Sequence, residues 1–457
     1  MIKIVFWMQV LPQQKLSMIM LVQQQEWCGA SSVTKSLSFS LQFNDTPNQQ
    51  SQNYKFSSGL HVIYGESGSG KSELINLLAD DQQYKSALFA LNETKSSKNI
   101  YVILQNPDLQ IISNKIESEL SFSLECNSND IKYIRHQLEE SKNRLLFSVD
   151  TARHPATLSG GEKELLNIST TLLLPTGIIL IDDALSFLSD QLKRKVVEQF
   201  HSKDHNENII VWFTSDENDL KYGSTKWELT KSKLSNINFS HSKELPKAKL
   251  QNGEIGLAVD KLNFHYDNNK NPIFNDFSES INNFRCLGII GNNGSGKSTL
   301  ASLLLNLEKP ISGSIKLNYT TSDNIEIGYL DQFPEKLLGI MTLEEFVQLL
   351  ISKGKLDSAQ LNEVDSILRI NNIAWEKIKN ILAMDLSWST LRLVLIIILS
   401  NCNYDLLILD EPTFGMGSKQ KSNLQSHFIR YLDEKHLILI SHDHKFIGSI
   451  CDSIIKL

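Results

Sequence analysis

GESGSGKS, Gly65–Ser72, and GNNGSGKS, Gly291–Ser298, are two copies of one eight-residue pattern in a chain of 457 residues. Both copies fit G-x-x-x-x-G-K-[ST], a pattern in which backbone N–H groups and a lysine bind nucleotide phosphates. An apolar stretch precedes each copy (LHVIYG and CLGIIG), and another follows it (LINLLA and LASLLLNL). This setting predicts a strand, a phosphate loop and a helix at each copy, and hence an α/β fold with two nucleotide-binding domains.

The rest of the chain repeats with nearly the same spacing. The separation between Lys71 and Lys297 recurs almost unchanged between the later pairs of matching motifs. A tandem duplication explains this constant offset. We expect one domain at 30–230 and another at 254–457. A polar, lysine-rich linker is expected at 231–253, and an N-terminal segment at 1–29 has no assigned role.

Composition limits the classes of partner. The net charge of −7 and the pI near 5.9 give no overall basic field, so a small-molecule or protein partner is favoured over a nucleic acid. Five scattered cysteines without CxxC spacing indicate neither a zinc site nor a disulfide framework.

Apolar stretches predict no membrane span. The opening MIKIVFWMQVL lacks a basic region and a cleavage site, so we interpret it as a strand or an irregular terminus. The longest apolar run, LRLVLIIILS at Leu391–Ser400, is much shorter than the roughly 20 residues that span a bilayer. It predicts a buried helix, and any membrane role would require a partner.

The phosphate loops supply most of the candidate nucleotide ligands. Lys71 and Lys297 would reach the phosphates, and the hydroxyl groups of Ser72 and Ser298 would bind Mg²⁺. The loop residues predicted to bind ATP are Gly65, Ser67, Gly68, Ser69, Gly70, Lys71, Ser72, Gly291, Asn293, Gly294, Ser295, Gly296, Lys297, Ser298 and Thr299.

From about residue 30 to its end the chain resembles two fused ABC ATPase domains, because further motifs follow each loop in that family's order. YVILQNPD and IGYLDQFPE resemble the Q-loop, LSGGE at Leu158–Glu162 resembles the signature, and IILIDD and LLILDE are apolar strands that end in acids. The resemblance implies that each half has a RecA-like core, an antiparallel β subdomain and a helical subdomain. It also implies a set of Mg²⁺ ligands: Ser72, Gln105, Asp182, Ser298, Gln332 and Asp410.

The resemblance assigns catalytic residues to the second half. Glu411 is the expected general base that polarises the attacking water. His442, in LILISHD, is the expected γ-phosphate contact, and Lys297 the phosphate clamp. Tyr266 is expected to stack on adenine. The first half aligns Leu41 with Tyr266, so stacking is not expected there.

The motifs of the two halves differ at three places. Asp183 is one methylene shorter than Glu411, and Ser215 stands where the second half has His442. In the second half, LSWST at Leu386–Thr390 replaces the LSGGE of the first.

ABC ATPase domains pack head to tail, so the resemblance implies that each nucleotide lies between one half's phosphate loop and the other half's signature. Ser159, Gly160 and Gly161 would then complete the site of the second half. The three replacements all fall in the other site, where Trp388 and Ser389 would place side chains against the γ-phosphate. We expect one active site and one slow or silent site. The alternative is simple drift of the second signature, with turnover at both sites.

The Q-loops carry a subfamily resemblance. QNPDLQ, Gln105–Gln110, matches the Q-x-P-[DE]-x-Q of energy-coupling-factor ATPases, and the second copy has Leu337 at the last position. The resemblance implies a vitamin or cation importer at the cytoplasmic face of the cell membrane. Its partners would be a transmembrane coupling subunit and a small substrate-capture membrane protein. Acids that could pair with basic partner residues are Asp108, Glu117, Glu119 and Glu335.

Three other classes compete with an importer subunit. A soluble tandem ABC ATPase acting on ribosomes typically has a long charged helical linker and two intact signatures. A DNA-repair ABC ATPase would need a large insertion, zinc ligands or a coiled coil. A non-hydrolysing scaffold would require failure of the second site, whose motifs are complete. The sequence therefore favours the importer subunit, whose cargo is chosen by other subunits.

Overall fold

The structure is a computed structural model. It describes residues 36–44, 50–79, 85–95, 99–127, 130–144, 150–238, 245–266, 272–292, 294–319, 325–333 and 338–457. The predicted segment 1–29, Asn293, Glu335 and Leu337 lie outside the described residues. The chain divides into two compact units, and the main boundary follows residue 239.

The core sheet of the first unit has the strand order β5-β6-β7-β3-β8-β9. Neighbouring strands are parallel except for β8 and β9. Every residue of β6 and β7 is buried, as expected for a parallel sheet that is covered on both faces. The strands are β3 Gly59–Tyr64, β5 Ile100–Ile103, β6 Ile178–Asp182, β7 Ile209–Thr214, β8 Thr225–Leu229 and β9 Leu234–Asn236.

An antiparallel sheet of order β2-β1-β4 and the helix Lys71–Ala79 share a hydrophobic core with one face of this core sheet. Its strands are β1 Ser36–Phe43, β2 Gln52–Ser57 and β4 Phe89–Lys95. The described helices of the first unit are α1 Lys71–Ala79, α2 Ile116–Asn127, α3 Ile131–Arg144, α4 Gly160–Leu172 and α5 Asp190–Phe200. Among these, α2 and α4 share a small apolar cluster of their own.

The second unit repeats this plan. Its parallel core sheet has the order β14-β15-β16-β12-β17, and its antiparallel sheet has the order β11-β10-β13. The strands are β10 Ile255–Phe264, β11 Phe274–Phe284, β12 Cys286–Ile290, β13 Ser312–Tyr319, β14 Ile327–Leu330, β15 Leu406–Asp410, β16 His436–Ile440 and β17 Ser453–Lys456. The described helices are α6 Lys297–Leu304, α7 Leu343–Ser352, α8 Leu361–Ile370, α9 Trp375–Ile378, α10 Trp388–Ser400, α11 Ser418–Tyr431 and α12 His444–Ile450.

The main elements expected from the repeat are confirmed. Each phosphate loop joins a buried parallel strand to a helix, β3 to α1 and β12 to α6. The apolar run at Leu391–Ser400 lies in α10, whose residues are almost all buried. In the part of the chain that the structure describes, no helix is both long and apolar enough to cross a membrane.

The described residues of the stretch 231–253, which are 231–238 and 245–253, make specific contacts with the two units. Leu234 is buried in β9, which pairs with β8 of the first unit. Leu245 and Leu250 pack against the core of the second unit, and the N–H of Ala248 donates to the carbonyl of Ser449 at 2.7 Å. A few apolar residues among many polar ones make these contacts, so the polar composition of the stretch did not predict them. The domain limits given above remain predictions.

A buried ion pair secures α5 of the first unit. The Lys193 ammonium lies 2.7 Å from the Asp219 carboxylate, and both side chains are less than a tenth exposed. The hydroxyl group of Thr214 donates to the second carboxylate oxygen at 2.7 Å. Replacing Asp219 by alanine would leave the lysine charge buried without this partner. We predict that this lowers the free energy of unfolding by about 3–5 kcal/mol, as measured by urea denaturation.

The control for this prediction is Arg194→Ala, which removes an exposed pair with Asp190 one helical turn away on α5. Solvent screens such pairs, so the unfolding midpoint should hardly change. Equal effects of the two substitutions would contradict the assigned role of the buried pair.

Candidate functional site

Two glycines of each phosphate loop have matching backbone conformations. Gly68, Gly70, Gly294 and Gly296 have φ between 79° and 99°, a region that residues with a Cβ rarely adopt. A Cβ on Gly70 would lie 2.6 Å from the ring of Phe89, and a Cβ on Gly296 would lie 2.7 Å from a neighbouring side chain. The last glycine of each loop therefore allows the loop to rest directly on the antiparallel sheet.

Each loop lysine lies across its own loop. Lys71 donates to the carbonyl of Gly65 at 2.7 Å, and Lys297 donates to the carbonyls of Gly291 and Asn292, both at 3.0 Å. These acceptors are neutral, whereas phosphate oxygens carry charge and form stronger hydrogen bonds with an ammonium group. Both lysines are thus placed to exchange a carbonyl for a phosphate at the mouth of the loop.

A hydroxyl group and a buried carboxylate meet beside each loop. Ser298 donates to Asp410 at 2.6 Å, and Ser72 is hydrogen-bonded to Asp182. Burial, reinforced by the acid that follows each aspartate, raises the pKa of Asp182 to about 6 and that of Asp410 to about 7. A divalent cation would favour the ionised carboxylates, and these oxygen donors are of the kind that Mg²⁺ prefers. The residues present therefore fit a Mg²⁺ site in each half.

In the second unit the acid after the aspartate pairs with the predicted histidine. Glu411 accepts hydrogen bonds from the Ser441 hydroxyl at 2.8 Å and from the backbone N–H of His442 at 3.2 Å. Nδ1 of His442 lies 2.9 Å from the same carboxylate. Burial opposes ionisation of Glu411, but His442 and Lys297 outweigh it and hold the pKa of Glu411 below its ordinary value. The carboxylate is therefore ionised at neutral pH, as a general base must be.

The first half has a different arrangement at the matching place. Asp183 is buried, and the hydroxyl group of Ser186 donates to its carboxylate at 3.1 Å and to its carbonyl at 2.7 Å. Ser215, the counterpart of His442, directly follows β7, is also buried and carries no imidazole. Asp183 and Ser215 therefore cannot form the acid and histidine pair that the second half has.

The first signature begins a helix with a complete capping box. Ser159 accepts from the N–H of Glu162 at 3.4 Å, and the Glu162 carboxylate accepts from the N–H of Ser159 at 2.8 Å. Gly160 and Gly161 form the first turn of α4 and are buried, whereas Ser159 is exposed. This helix start leaves the serine at the surface with no bulky side chain directly after it.

The second signature keeps the helix cap but corrects our expectation for its tryptophan. Ser387 caps α10 through the N–H of Thr390 at 3.4 Å, as Ser159 caps α4. Trp388 does not project outward toward a phosphate, because its side chain is 6 % exposed and packs between Phe333 and Phe414. Its indole ring is therefore part of the interior of the second unit.

Tyr266 lies where a base could stack. It follows shortly after the end of β10, is 40 % exposed, and its hydroxyl group is 3.3 Å from that of Thr299 in the phosphate-loop helix. Leu41, aligned with it by sequence, lies inside β1 and is fully buried, and Phe43 packs edge-on against Phe89. Leu41 lies within its strand, whereas Tyr266 follows its strand, so the two residues do not occupy equivalent places. Both Leu41 and Phe43 are buried, so neither can stack on a base.

The two Q-loop glutamines follow strands beside the metal-site aspartates. Gln105 follows β5, which pairs with β6, and Gln332 follows β14, which pairs with β15. Sequence reasoning missed the role of Gln110. Its side chain accepts from the N–H of Leu104 at 2.8 Å and donates to the carbonyl of Val102 at 2.8 Å. The last glutamine of QNPDLQ thus fixes the bend that positions Gln105.

Comparison with known proteins agrees with this geometry. A family model described as ABC transporter matches residues 51–186 and 274–414, more than half of the chain. The chain belongs to the ABC transporter family. It is a tandem ABC ATPase, an ATP hydrolase with two P-loop domains.

Relatives and solved structures support the tandem arrangement. A Lactiplantibacillus plantarum protein provisionally named ABC transporter ATP-binding protein is 25 % identical, over 92 % of this chain and 88 % of its own. A Clostridium tetani protein with the same provisional name is 25 % identical, over 74 % of this chain and 88 % of its own.

A structure of ribosome-bound archaeal Pelota and ABCE1 matches 87 % of this chain and 72 % of its own, with a TM-score of 0.61 and 18 % identity. The structure of an RNase-L Inhibitor matches 87 % of this chain and 83 % of its own, with a TM-score of 0.57 and 17 % identity. At these identities the structural likeness establishes the fold of this ABC ATPase alone.

The loop geometry of this ABC ATPase makes a testable prediction. Gly296→Ala should weaken ATP binding to the second unit by about tenfold or more, because the new Cβ combines left-handed strain with overlap of the sheet beneath. Titration with a fluorescent ATP analogue, on a chain whose first loop carries Lys71→Ala, would measure this affinity. Gly448→Ala, at a position in α12 with open space around it, is the control and should leave the affinity unchanged. A normal affinity in the Gly296 variant would contradict the assigned loop geometry.

Proposed function

We propose that this ABC ATPase is the energy-coupling subunit of an importer of the energy-coupling-factor type, and that it hydrolyses ATP mainly at the site of its second half. The observation that carries the asymmetry is the pairing of Glu411 with His442 and Ser441, because Asp183 is one methylene shorter than Glu411 and Ser215 stands where the second half has the imidazole of His442. The imported cargo would be a vitamin or metal cation captured by a separate membrane subunit.

The reaction follows from the charges around Glu411. The carboxylate accepts a proton from water as the water oxygen attacks the γ-phosphorus and the bond to the β-phosphate oxygen breaks. Lys297 offsets the charge on the phosphates, and His442 orients Glu411 and contacts the γ-phosphate. When bound, Mg²⁺ would neutralise charge on the β- and γ-phosphates; the residues proposed to hold it are Ser298, Gln332 and Asp410 in the second half, and Ser72, Gln105 and Asp182 in the first.

Two further parts of the proposal rest on the family resemblance. Tyr266 would stack on the adenine of the nucleotide bound by the second loop. Ser159, Gly160 and Gly161 of the first signature would complete the same site at the γ-phosphate. The site of the first half would then bind ATP and turn it over slowly or not at all.

The asymmetry predicts unequal effects of two matched substitutions. Glu411→Gln should lower the ATPase rate by about a hundredfold or more and trap ATP, because the amide cannot accept the proton of the attacking water. Asp183→Asn makes the same chemical change in the first half and should lower the rate less than about threefold. Steady-state phosphate release and the amount of retained ATP would measure both. Comparable losses from the two substitutions would contradict the single-site proposal.

A repeated surface feature supports a membrane partner. Ser118, Ser121 and Glu125 of α2 line a groove of about 520 Å³, and the residues at the matching positions of α7 line a groove of about 550 Å³. Each helix also exposes a large apolar side chain, Phe122 at 40 % and Leu349 at 41 %, and these two are likewise matching positions of the repeat. Two equivalent grooves with exposed apolar residues suit a partner that presents two similar helices, one to each half.

Two of the four acids that could contact such a partner, Asp108 and Glu119, have partners within their own domain. The Asp108 carboxylate lies 2.6 Å from the ammonium group of Lys163, so it pairs within its own domain. Glu119 is buried and accepts from the N–H groups of Ile112 and Ser113 at 3.1 and 2.7 Å. Partner binding would therefore depend on apolar contact more than on these charges.

Relatives favour the transporter assignment over the ribosomal alternative. The two relatives named above, which match along most of this chain, are provisionally named as ATP-binding proteins of ABC transporters, and QNPDLQ adds the subfamily resemblance. The alternative, a tandem ABC ATPase that acts on ribosomes, has the structural likeness to ABCE1 in its favour. The two proposals differ in what the protein binds.

Affinity purification of the tagged chain from gently solubilised membranes tests this difference. We predict stoichiometric recovery of a multi-spanning membrane protein together with a second, small one. Phe122→Asp combined with Leu349→Asp should reduce that recovery by about tenfold while the ATPase rate remains, because buried charge at an apolar contact is unfavourable. Leu307→Asp, at a 67 % exposed position that lines neither groove, is the matched control. Recovery of ribosomal proteins from the soluble fraction would overturn the importer assignment.

A further inference from the structure

We infer that Trp388, the residue that breaks the second signature, is a positioning residue for the hydrolytic site of its own half. This inference rests on the proposed function, because it concerns turnover at the site that contains Glu411. It assigns to the tryptophan a role that loss of the signature motif does not explain.

One indole ring contacts both segments that carry the proposed chemistry. Its centroid lies 5.8 Å from the ring of Phe333, which directly follows the proposed Mg²⁺ ligand Gln332. It lies 5.5 Å from the ring of Phe414, whose backbone N–H donates to the carbonyl of Glu411 at 3.2 Å. Tilted and edge-on aromatic contacts of this kind have preferred geometries, so they restrict how the rings can move. Trp388 therefore links the Q-loop to the turn that holds the general base.

Arg392 reinforces the same link from one helical turn further along α10. It is fully buried and donates to the carbonyl of Gln332, and its guanidinium carbon lies 4.9 Å from the centre of the Phe414 ring. Because residues four apart share one face of a helix, Trp388 and Arg392 contact the two segments side by side. We call Phe333, Trp388, Arg392 and Phe414 the tryptophan cluster.

The first half connects its signature helix by other means. Gly160 stands at the position of Trp388 and has no side chain to pack. The helix is joined to the Q-loop segment by Lys163, which pairs with Asp108 at 2.6 Å, and by Asn167, which donates to the carbonyl of Pro107 at 3.1 Å. At the same place in the fold, the tryptophan cluster joins the second signature helix to its Q-loop segment through aromatic contacts together with the Arg392 hydrogen bond.

This replacement has a mechanical consequence for Gln332 and Glu411. Small displacements of reacting groups reduce turnover strongly, and a shift of about 1 Å can cost about a hundredfold. Removing the indole ring would leave Phe333 and Phe414 without their shared contact. The Q-loop and the turn after β15 would then be less well positioned, which affects both the use of Mg²⁺ and the rate.

The test is Trp388→Gly in the full chain, measured as ATPase rate against Mg²⁺ concentration at saturating ATP. Glycine is the residue that the first half carries at this position. A positioning role predicts a rate about tenfold lower and a several-fold higher Mg²⁺ concentration for half-maximal rate. Trp388→Phe, which keeps an aromatic ring, should restore both values to within about twofold. A rate in Trp388→Gly equal to or above that of the original chain would overturn the inference, since simple decay of the signature predicts no loss.

Two further variants keep the test decisive if Trp388→Gly folds poorly. Phe333→Leu and Phe414→Leu keep most of the apolar volume and should each reproduce the altered Mg²⁺ dependence. Combining Phe333→Leu with Phe414→Leu should reduce the rate by less than the product of the two single effects, because coupled residues are not additive. Independent, additive effects on the rate would contradict a shared cluster.

Glu411→Gln, assayed in parallel, separates this inference from the proposed function. If Glu411→Gln retains turnover, the second site is not the hydrolytic one and both proposals fail. If Glu411→Gln is inactive while the cluster variants behave like the original chain, only the role of Trp388 is overturned.

Discussion

The acid that follows the proposed Mg²⁺-binding aspartate has a left-handed backbone in both halves, with φ of 52° at Asp183 and 50° at Glu411. A residue with a Cβ pays of order 1–3 kcal/mol for such a conformation, which persists only where the surroundings enforce it. Here the enforcing contact is a hydrogen bond to the next strand, from the N–H of Asp183 to the carbonyl of Phe213 at 2.9 Å and from that of Glu411 to Ile440 at 2.8 Å. The sharp turn at the strand end places the acid beside the end of its neighbour, and the rest of the site depends on that position.

The shared turn shows where the two halves diverge. Glu411 extends to Ser441 and His442, whereas the shorter Asp183 is engaged by Ser186 in the turn that follows it. The backbone of the repeat was therefore kept while the reach and partners of one side chain changed. The difference between the halves therefore lies in the side chains around this acid. Both halves keep the phosphate loop and the buried aspartate that precedes the acid.

Local patterns were sufficient to predict the phosphate loops, the strands that carry them and the buried helix α10, because each depends on residues close in sequence. The direction of the Trp388 side chain was not predictable in this way. Its neighbours Phe333 and Phe414 lie far from it in sequence, one on each side, so only the tertiary structure brings them together. The pairing of Asp108 with Lys163 was not predictable for the same reason, since these two residues are also distant along the chain.

The two signature helices show how the requirements of a phosphate site limit packing. A helix start that approaches a phosphate closely favours glycine, which contributes no side chain to the interior. In α4 the contacts with the interior are made instead by polar side chains. Lys163, Glu164 and Asn167 are all buried and hydrogen-bonded. Buried polar groups of this kind need every partner in place. In α10 the aromatic residue at position 388 packs against Phe333 and Phe414, and the fully buried Arg392 donates to the carbonyl of Gln332. The second signature helix is thus joined to its Q-loop segment by aromatic packing together with one polar contact, at the place where the first signature helix uses the polar contacts of Lys163 and Asn167.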